Sequence, residues 1–233
     1  MVERVVTGVR GLDAILNGGL PKGSMTAVVG PPGSGKTSLG LQYLVAAASL
    51  GKPAAYMLTF SPKTLDTIAE SFGWPLEFLR KLEILYLYST DSEDVKTFRY
   101  SANIFQLTDI SIILNGLLDK VNISDNMRLV IDSLSDIMIL HKDEAALATF
   151  IRAVKSKLQQ KSVTSLVMIE EGMHDAKLMA MVEYICDGTI VLKQEDDERL
   201  LKVRRMLGTS PSAGWKRFTI SSGLELFADG FFY

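Results

Sequence analysis

The chain has one cysteine, Cys186, in 233 residues. No disulfide can close within it, and a reducing compartment is expected. Flanked by apolar residues in "EYICDG", this cysteine reads as a small core residue rather than a reactive thiol. Histidine is almost as scarce. His141 and His174 lie far apart, with no cysteine cluster or paired spacing beside them, so no structural zinc is expected. Charge of one sign is also lacking: the formal net charge is −2. That excludes the overall basic field that recruits nucleic acid or an anionic membrane, and it makes a nucleic-acid partner an unfavoured reading. Long apolar runs are missing too. Segments such as "ISIILNGLL" fall well short of the ~20 residues of a membrane helix. Met1–Arg10 mixes charged and small residues and shows no signal-peptide pattern. Together these absences predict a soluble, cytoplasmic protein without membrane insertion.

What is present is a strand–helix rhythm. Short apolar runs read as buried strands at Ser24–Val29, Ala54–Phe60, Ile84–Tyr88, Arg128–Asp132 and Ser165–Ile169. Between them, Thr37–Leu50 is apolar nearly all round and reads as a buried helix stopped by Gly51. Ser61 reads as an N-cap and Pro62 as the first position of a helix carrying Leu65, Ile68, Ala69 and Phe72. After the polar stretch Ser89–Asp94, a long helical segment carries Ile104, Leu107, Ile110, Ile113, Leu114 and Leu117. Asp143–Gln160 has Leu147, Phe150, Ile151, Val154 and Leu158 on one face. Alternation of this kind predicts a mostly parallel twisted sheet flanked by helices. After Asp187 the rhythm changes. "GTIVLK" and "RLLKVRRM" are joined by the polar turn "QEDDE", and "RFTI" and "LELF" follow, so an antiparallel hairpin extension is expected at the sheet's edge. No linker or repeat is visible, and residues 1–233 read as a single domain.

The stretch "VVGPPGSGKTSLG" satisfies G-x-x-x-x-G-K-[ST] through Gly30, Gly35, Lys36 and Thr37, with Gly33 inside the loop. The glycines let successive backbone N–H groups, those of Ser34 and Ser38 included, turn toward phosphate oxygens. The helix that follows points its positive end at the same oxygens. Lys36 reaches the β- and γ-phosphates, and the Thr37 hydroxyl ligates Mg²⁺. ATP with Mg²⁺ is the expected ligand. Asp132, at the end of "RLVID", is the expected second metal-side group, with a helix cap as its plain alternative.

Four ordered stretches resemble the KaiC-like branch of the RecA superfamily of P-loop ATPases. They are Thr7–Leu44, containing the loop; "VIDSLS", Val130–Ser135; "EYICDGTIVL", Glu183–Leu192; and Arg204–Phe227. The weakest likeness is near Ser89–Asn126. The resemblance implies a RecA-like core that binds ATP and Mg²⁺. It also implies a homo-oligomer, often a six-membered ring with nucleotide between subunits, or a protein partner.

The chain departs from that pattern in two places. Family members that hydrolyse ATP carry a glutamate pair just after the second strand. Here Thr59 and Phe60 stand there, with Ser61 and Pro62 following; Asp66 and Glu70 come one and two turns later. The family's Lys-x-Arg pair, which reaches a neighbour's γ-phosphate, aligns with Arg205 and Leu207. Arg205 is therefore the candidate trans contact, a solvated strand charge being the alternative. Lys202 and Arg204 have the spacing but the wrong strand face unless a bulge intervenes. Glu170 or Glu171 could orient water in place of the missing pair. Acidic residues there, with Asp175 against Lys177 and His174, count against a DNA channel. The expected function is an ATP-dependent switch or scaffold with weak or absent hydrolysis. The alternatives are an ATPase using Glu170 or Glu171, a recombination accessory, and an archaellum-type motor-assembly regulator. The closing aromatics of "DGFFY" are either a loose tail or a docking element.

Overall fold

The computed structural model describes residues 2–89, 95, 98–210 and 214–227. The aromatic tail and most of the polar stretch after Ser89 lie outside the described residues. In chain order the first half contains β1 (Arg4–Val5), α1 (Leu12–Ile15), β2 (Leu20–Pro21), β3 (Met25–Gly30), α2 (Lys36–Ser49), β4 (Ala54–Leu58), α3 (Lys63–Ser71), α4 (Leu76–Leu79), β5 (Glu83–Tyr88) and β6 (Tyr100–Asn103). The second half contains α5 (Leu107–Leu118), β7 (Arg128–Asp132), α6 (Leu134–Leu140), α7 (Glu144–Gln160), β8 (Thr164–Glu170), α8 (Ala176–Ile185), β9 (Gly188–Glu195), β10 (Glu198–Met206), β11 (Lys216–Ile220) and β12 (Leu224–Leu226).

Among the described residues, ten strands form one sheet in the order β12-β11-β10-β9-β3-β8-β7-β4-β5-β6. From β9 to β6 every neighbouring pair is parallel. Strands β3, β4 and β7 are buried along their whole length, as a parallel sheet covered on both faces requires. Alternation along the strands divides the core. Met25, Ala27 and Val29 face α5, α6, α7 and α8. Val28, Tyr56, Val130 and Met168 face α1, α2, α3 and α4. Helix α2 lies very close to the sheet at Gly40, where a Cβ would stand 2.6 Å from Met168 Cε and 3.0 Å from Val130 Cγ1.

Several boundaries differ from the sequence expectation, most by a single residue. Strand β9 belongs to the parallel part, because α8 provides a crossover from β8; the antiparallel extension begins only at β10. Ile104 is not in the helix: it follows β6, a short strand without a strong apolar pattern, and its N–H bonds Tyr88 O at 2.9 Å. Helix α3 begins one residue late, with Pro62 in the cap position and no side-chain cap from Ser61. Strand β4 ends at Leu58 rather than Phe60.

Cys186 is buried, and burial pushes its thiol up to about 12. It packs with the α5–α8 side of the core. The neighbouring "DG" is structural as well. Asp187 accepts hydrogen bonds from Lys155 Nζ at 2.6 Å and Met25 N at 2.9 Å, tying α7, β3 and β9 together.

Candidate functional site: a phosphate loop and an adjoining cleft

Strands β3, β8, β7 and β4 end side by side, so their last residues form one edge. Gly30 pairs with Glu170, and Leu58 with Asp132. This is the edge where open α/β sheets bind ligands. Gly33 (φ 76°) and Gly35 (φ 98°) adopt left-handed conformations that bend the loop into the start of α2. Gly30 leaves no room for a side chain: a Cβ would lie 2.7 Å from Leu192 O.

Lys36 is 5% exposed and donates to Gly30 O and Pro31 O, each at 2.8 Å, and to Glu170 Oε2 at 2.9 Å. Thr37 Oγ1 donates to Asp132 Oδ2 at 2.8 Å, and Tyr56 OH donates to the same oxygen at 2.9 Å. Burial, followed by the neighbouring Asp132, holds the Tyr56 phenol well above its ordinary range, so it stays a donor. Burial also pushes the Asp132 carboxyl above the usual range, against the lowering effect of Thr37 and Tyr56. Ser34 is buried at 1% exposure, and its Oγ has no hydrogen-bond partner.

These residues fit Mg²⁺ and a polyphosphate. A buried carboxylate short of compensation, a threonine hydroxyl and an orphaned serine hydroxyl are what such a ligand would satisfy. Thr37 and Asp132 would hold the ion, directly or through water, and its charge would neutralise phosphate oxygens. Among the described residues no cluster of three or more His, Cys, Asp or Glu could hold a metal by itself.

A raised folded-state value for Asp132 has a consequence for stability. Its favourable contribution is complete below the unfolded-state value of about 3.9 and is lost as pH rises through the folded value. The charged form of Asp132 is therefore the one that burdens the nucleotide-free protein. Asp132→Asn keeps an acceptor for both hydroxyls. It is expected to stabilise that form by about 1 kcal/mol, about 2–4 °C in Tm, while weakening the Mg²⁺-dependent part of ATP affinity. Thermal scans with and without Mg·ATP check this; a lower Tm without ligand would contradict it.

The sequence candidates separate. Gly30, Gly33, Ser34, Gly35, Lys36, Thr37 and Ser38 form the loop and its helix start. Glu170 lines both hollows of the site: a recess of about 320 Å³ over the loop and a cleft of about 550 Å³ beyond Thr37. Glu171 lines neither; its side chain is exposed, and its N–H bonds Gly30 O at 3.0 Å. Arg205 is not brought to the chain's own loop. It pairs with Thr189 near the start of β9, and its guanidinium caps α8 through Glu183 O at 2.7 Å and Cys186 O at 2.6 Å. The bulge on which Arg204 depended is present. The β9–β10 register shifts between Val203 and Arg205, and Arg204 pairs with Glu183 at 2.7 Å. Both arginines thus reach the same end of α8. Of the basic residues after β8, Lys177 pairs with Glu144 at 2.6 Å. His174, held below its ordinary range chiefly by burial, sits 2.8 Å from Ser135 Oγ, which also accepts from Glu170 N at 2.8 Å.

Sequence reasoning missed two residues. Arg199, near the start of β10, lines the recess beside Gly33, Gly35 and Lys36, and its buried Nε has no hydrogen-bond partner. Only the β9–β10 register places it there, opposite Gln194. Asp136, in the first turn of α6, lines the cleft with Thr37, Thr59 and Asp132. The only sequence signal was an acidic residue three after Ser133, which reads as a helix cap.

Comparison with known proteins agrees with this geometry. The family model for the KaiC ATPase matches residues 5–228. A circadian clock oscillator protein KaiC of Nostoc sp. is 27% identical over 238 residues, covering 98% of this chain and 45% of that protein. A UPF0273 protein of Methanopyrus kandleri is 28% identical over 228 residues, covering 94% of this chain and 90% of its own length. A solved structure, a KaiC-like protein from Pyrococcus horikoshii OT3, superposes with a TM-score of 0.80 at 24% identity, covering 98% of this chain and all of that one. It shares the fold. The chain spans about half the length of the clock proteins it matches. No helix among the described residues is long and apolar enough to cross a membrane. Because the match from residue 5 to residue 228 takes in the whole ten-stranded sheet and the phosphate loop on its edge, the chain belongs to the KaiC ATPase family.

Proposed function

We propose that this chain, acting as one domain in the cytoplasm, binds ATP with Mg²⁺ as a nucleotide-dependent switch or scaffold and turns it over slowly. The observation that carries this reading is the occupancy of the site's acidic positions. Thr59 and Phe60 stand at the exit of β4, where the hydrolysing pattern has glutamates, and Glu170 is bound to Lys36. Phosphate binding needs neither a base nor a second cation, whereas fast transfer draws about a hundredfold or more from each. Arg199 over the loop supports the phosphate grip from within the chain. A homo-oligomer, a ring being the arrangement the family resemblance suggests, would bring Arg205 to a neighbour's nucleotide only if its guanidinium left the α8 carbonyls it now caps. Among the described residues nothing at the loop edge favours a DNA channel, since Lys177 is engaged with Glu144.

The test combines ATP affinity, phosphate release and mass in solution on one preparation of the wild-type protein. The expected outcome is ATP binding, with release on the order of 10⁻³ s⁻¹ or slower, the scale of a P-loop site without an arginine finger. The assembly is also expected to be larger with ATP than with ADP. Turnover of about 1 s⁻¹, the lower end of ordinary enzymes, would sink the switch reading, and absence of binding would sink the nucleotide reading altogether.

A further inference from the structure

The cleft beyond Thr37 contains three carboxylates, Asp132, Glu170 and Asp136. They are not equivalent. Asp132 Oδ2 is taken by Thr37 and Tyr56, beside the expected metal position. Glu170 is ion-paired with Lys36. Asp136 pairs with no cation among the described residues. Its Oδ2 accepts from two neutral hydroxyls, Thr59 Oγ1 and Ser133 Oγ, the latter at 2.8 Å. Its Oδ1 accepts from none of the described residues.

The plain alternative is that Asp136 caps α6. Half of a capping box is present: Ser133 Oγ accepts from Asp136 N at 3.2 Å. The return bond is not made, because the Ser133 N–H is directed to Thr59 Oγ1 at 3.4 Å. The Asp136 carboxylate is instead held by Thr59, across the cleft floor from the first turn of α6 to the exit of β4. A helix cap has no use for that contact, whereas a positioned carboxylate does. Phe60, Leu87, Ile104, Ile139, Leu140 and Met173 give the same cleft an apolar wall.

We propose that Asp136 is the catalytic carboxylate that orients the attacking water in the slow hydrolysis of ATP; this rests on the ATP-binding reading above. In the step, the water oxygen forms a bond to the γ-phosphorus. The bond from that phosphorus to the β–γ bridging oxygen breaks, leaving its electron pair on ADP. A water proton passes to Asp136 Oδ1 and on to solvent, giving ADP and phosphate. Held by one oxygen on a short side chain, Asp136 supplies such a base at less reach than a glutamate, which accords with slow turnover.

The experiment is single-turnover phosphate release from γ-labelled ATP, with nucleotide affinity measured in parallel, on wild type, Asp136→Asn, Asp136→Glu and Thr59→Val. Asparagine still accepts from Thr59 and Ser133, so Asp136→Asn is expected to bind ATP within about threefold of wild type while release falls about a hundredfold. Asp136→Glu is expected to regain part of that loss, which a purely structural role would not give. Thr59→Val is expected to slow release about tenfold by loosening Asp136; it decides the matter if Asp136→Asn does not fold. Release by Asp136→Asn, or by Thr59→Val in that case, at the wild-type rate overturns the proposal. So does a wild-type rate no greater than that of Lys36→Ala, which leaves ATP binding standing. Failure of wild type to bind ATP is a different result and overturns the binding reading itself.

Discussion

Lys36→Ala is expected to weaken ATP binding by about 150-fold while leaving the fold intact. A lysine that donates to two phosphate oxygens makes charge-assisted bonds of about 1.5–3 kcal/mol each. Not all of that is net gain. Without nucleotide the ammonium is already satisfied by Gly30 O, Pro31 O and Glu170 Oε2, so binding exchanges partners rather than creating them. About 3 kcal/mol survives the exchange, which converts to the stated loss. The same exchange makes Glu170 a competitor for the lysine. Glu170→Gln removes the charge that phosphate must displace and is expected to tighten ATP binding about tenfold, in line with removing a partly buried ion pair. If Glu170 were instead the base, glutamine would leave affinity unchanged and stop turnover. Displacement of a fluorescent nucleotide from the two variants reads both effects, and their opposite signs separate grip from competitor.

Lys155→Ala is expected to destabilise the protein by about 3 kcal/mol, at the low end for loss of one partner from a buried pair. Lys155 keeps 19% side-chain exposure against 8% for Asp187, so the pair is not fully dry. The damage comes from what remains. Asp187 would stay buried with the Met25 N–H as its hydrogen-bond donor at 2.9 Å, and Ile185 O would lose the Lys155 donor now 2.7 Å away. For a chain of this size the change is about 6–12 °C in Tm. Adding Asp187→Asn is expected to recover a large part, since the amide still accepts from Met25 and no charge is stranded. Denaturant melts of the single and double variants check this; a double variant less stable than Lys155→Ala would contradict it. ATP affinity should persist in any folded fraction, because the pair lies at the start of β9 and the loop at the opposite edge of the sheet.

The phosphate loop and the parallel order around it were legible in the chain because their signals are local. Gly30, Gly35, Lys36 and Thr37 are close in sequence, and the apolar runs of β3, β4, β7 and β8 are buried on both faces, so each announces itself. Asp132 was legible for the same reason: it ends a buried strand. The edges of the sheet were less so. The short β6, "YSAN", carries no apolar run, and its place is set by pairing with β5. The direction of β9 followed from the crossover helix before it, not from its own residues.

What the sequence by itself determined was the kind of ligand and the class of fold, because both follow from patterns a few residues long. Which polar side chains meet was decided by the tertiary structure alone. Glu170 and Glu171 are neighbours in sequence, yet β8 ends between them, and one reaches Lys36 while the other stays exposed in the turn. Arg199 is 163 residues from Lys36, and Asp136 is 77 from Thr59; each pair shares a hollow only because separate strands end on one edge. Periodicity shows which face of a strand is buried, but only register and the order of strands fix what stands opposite a given side chain.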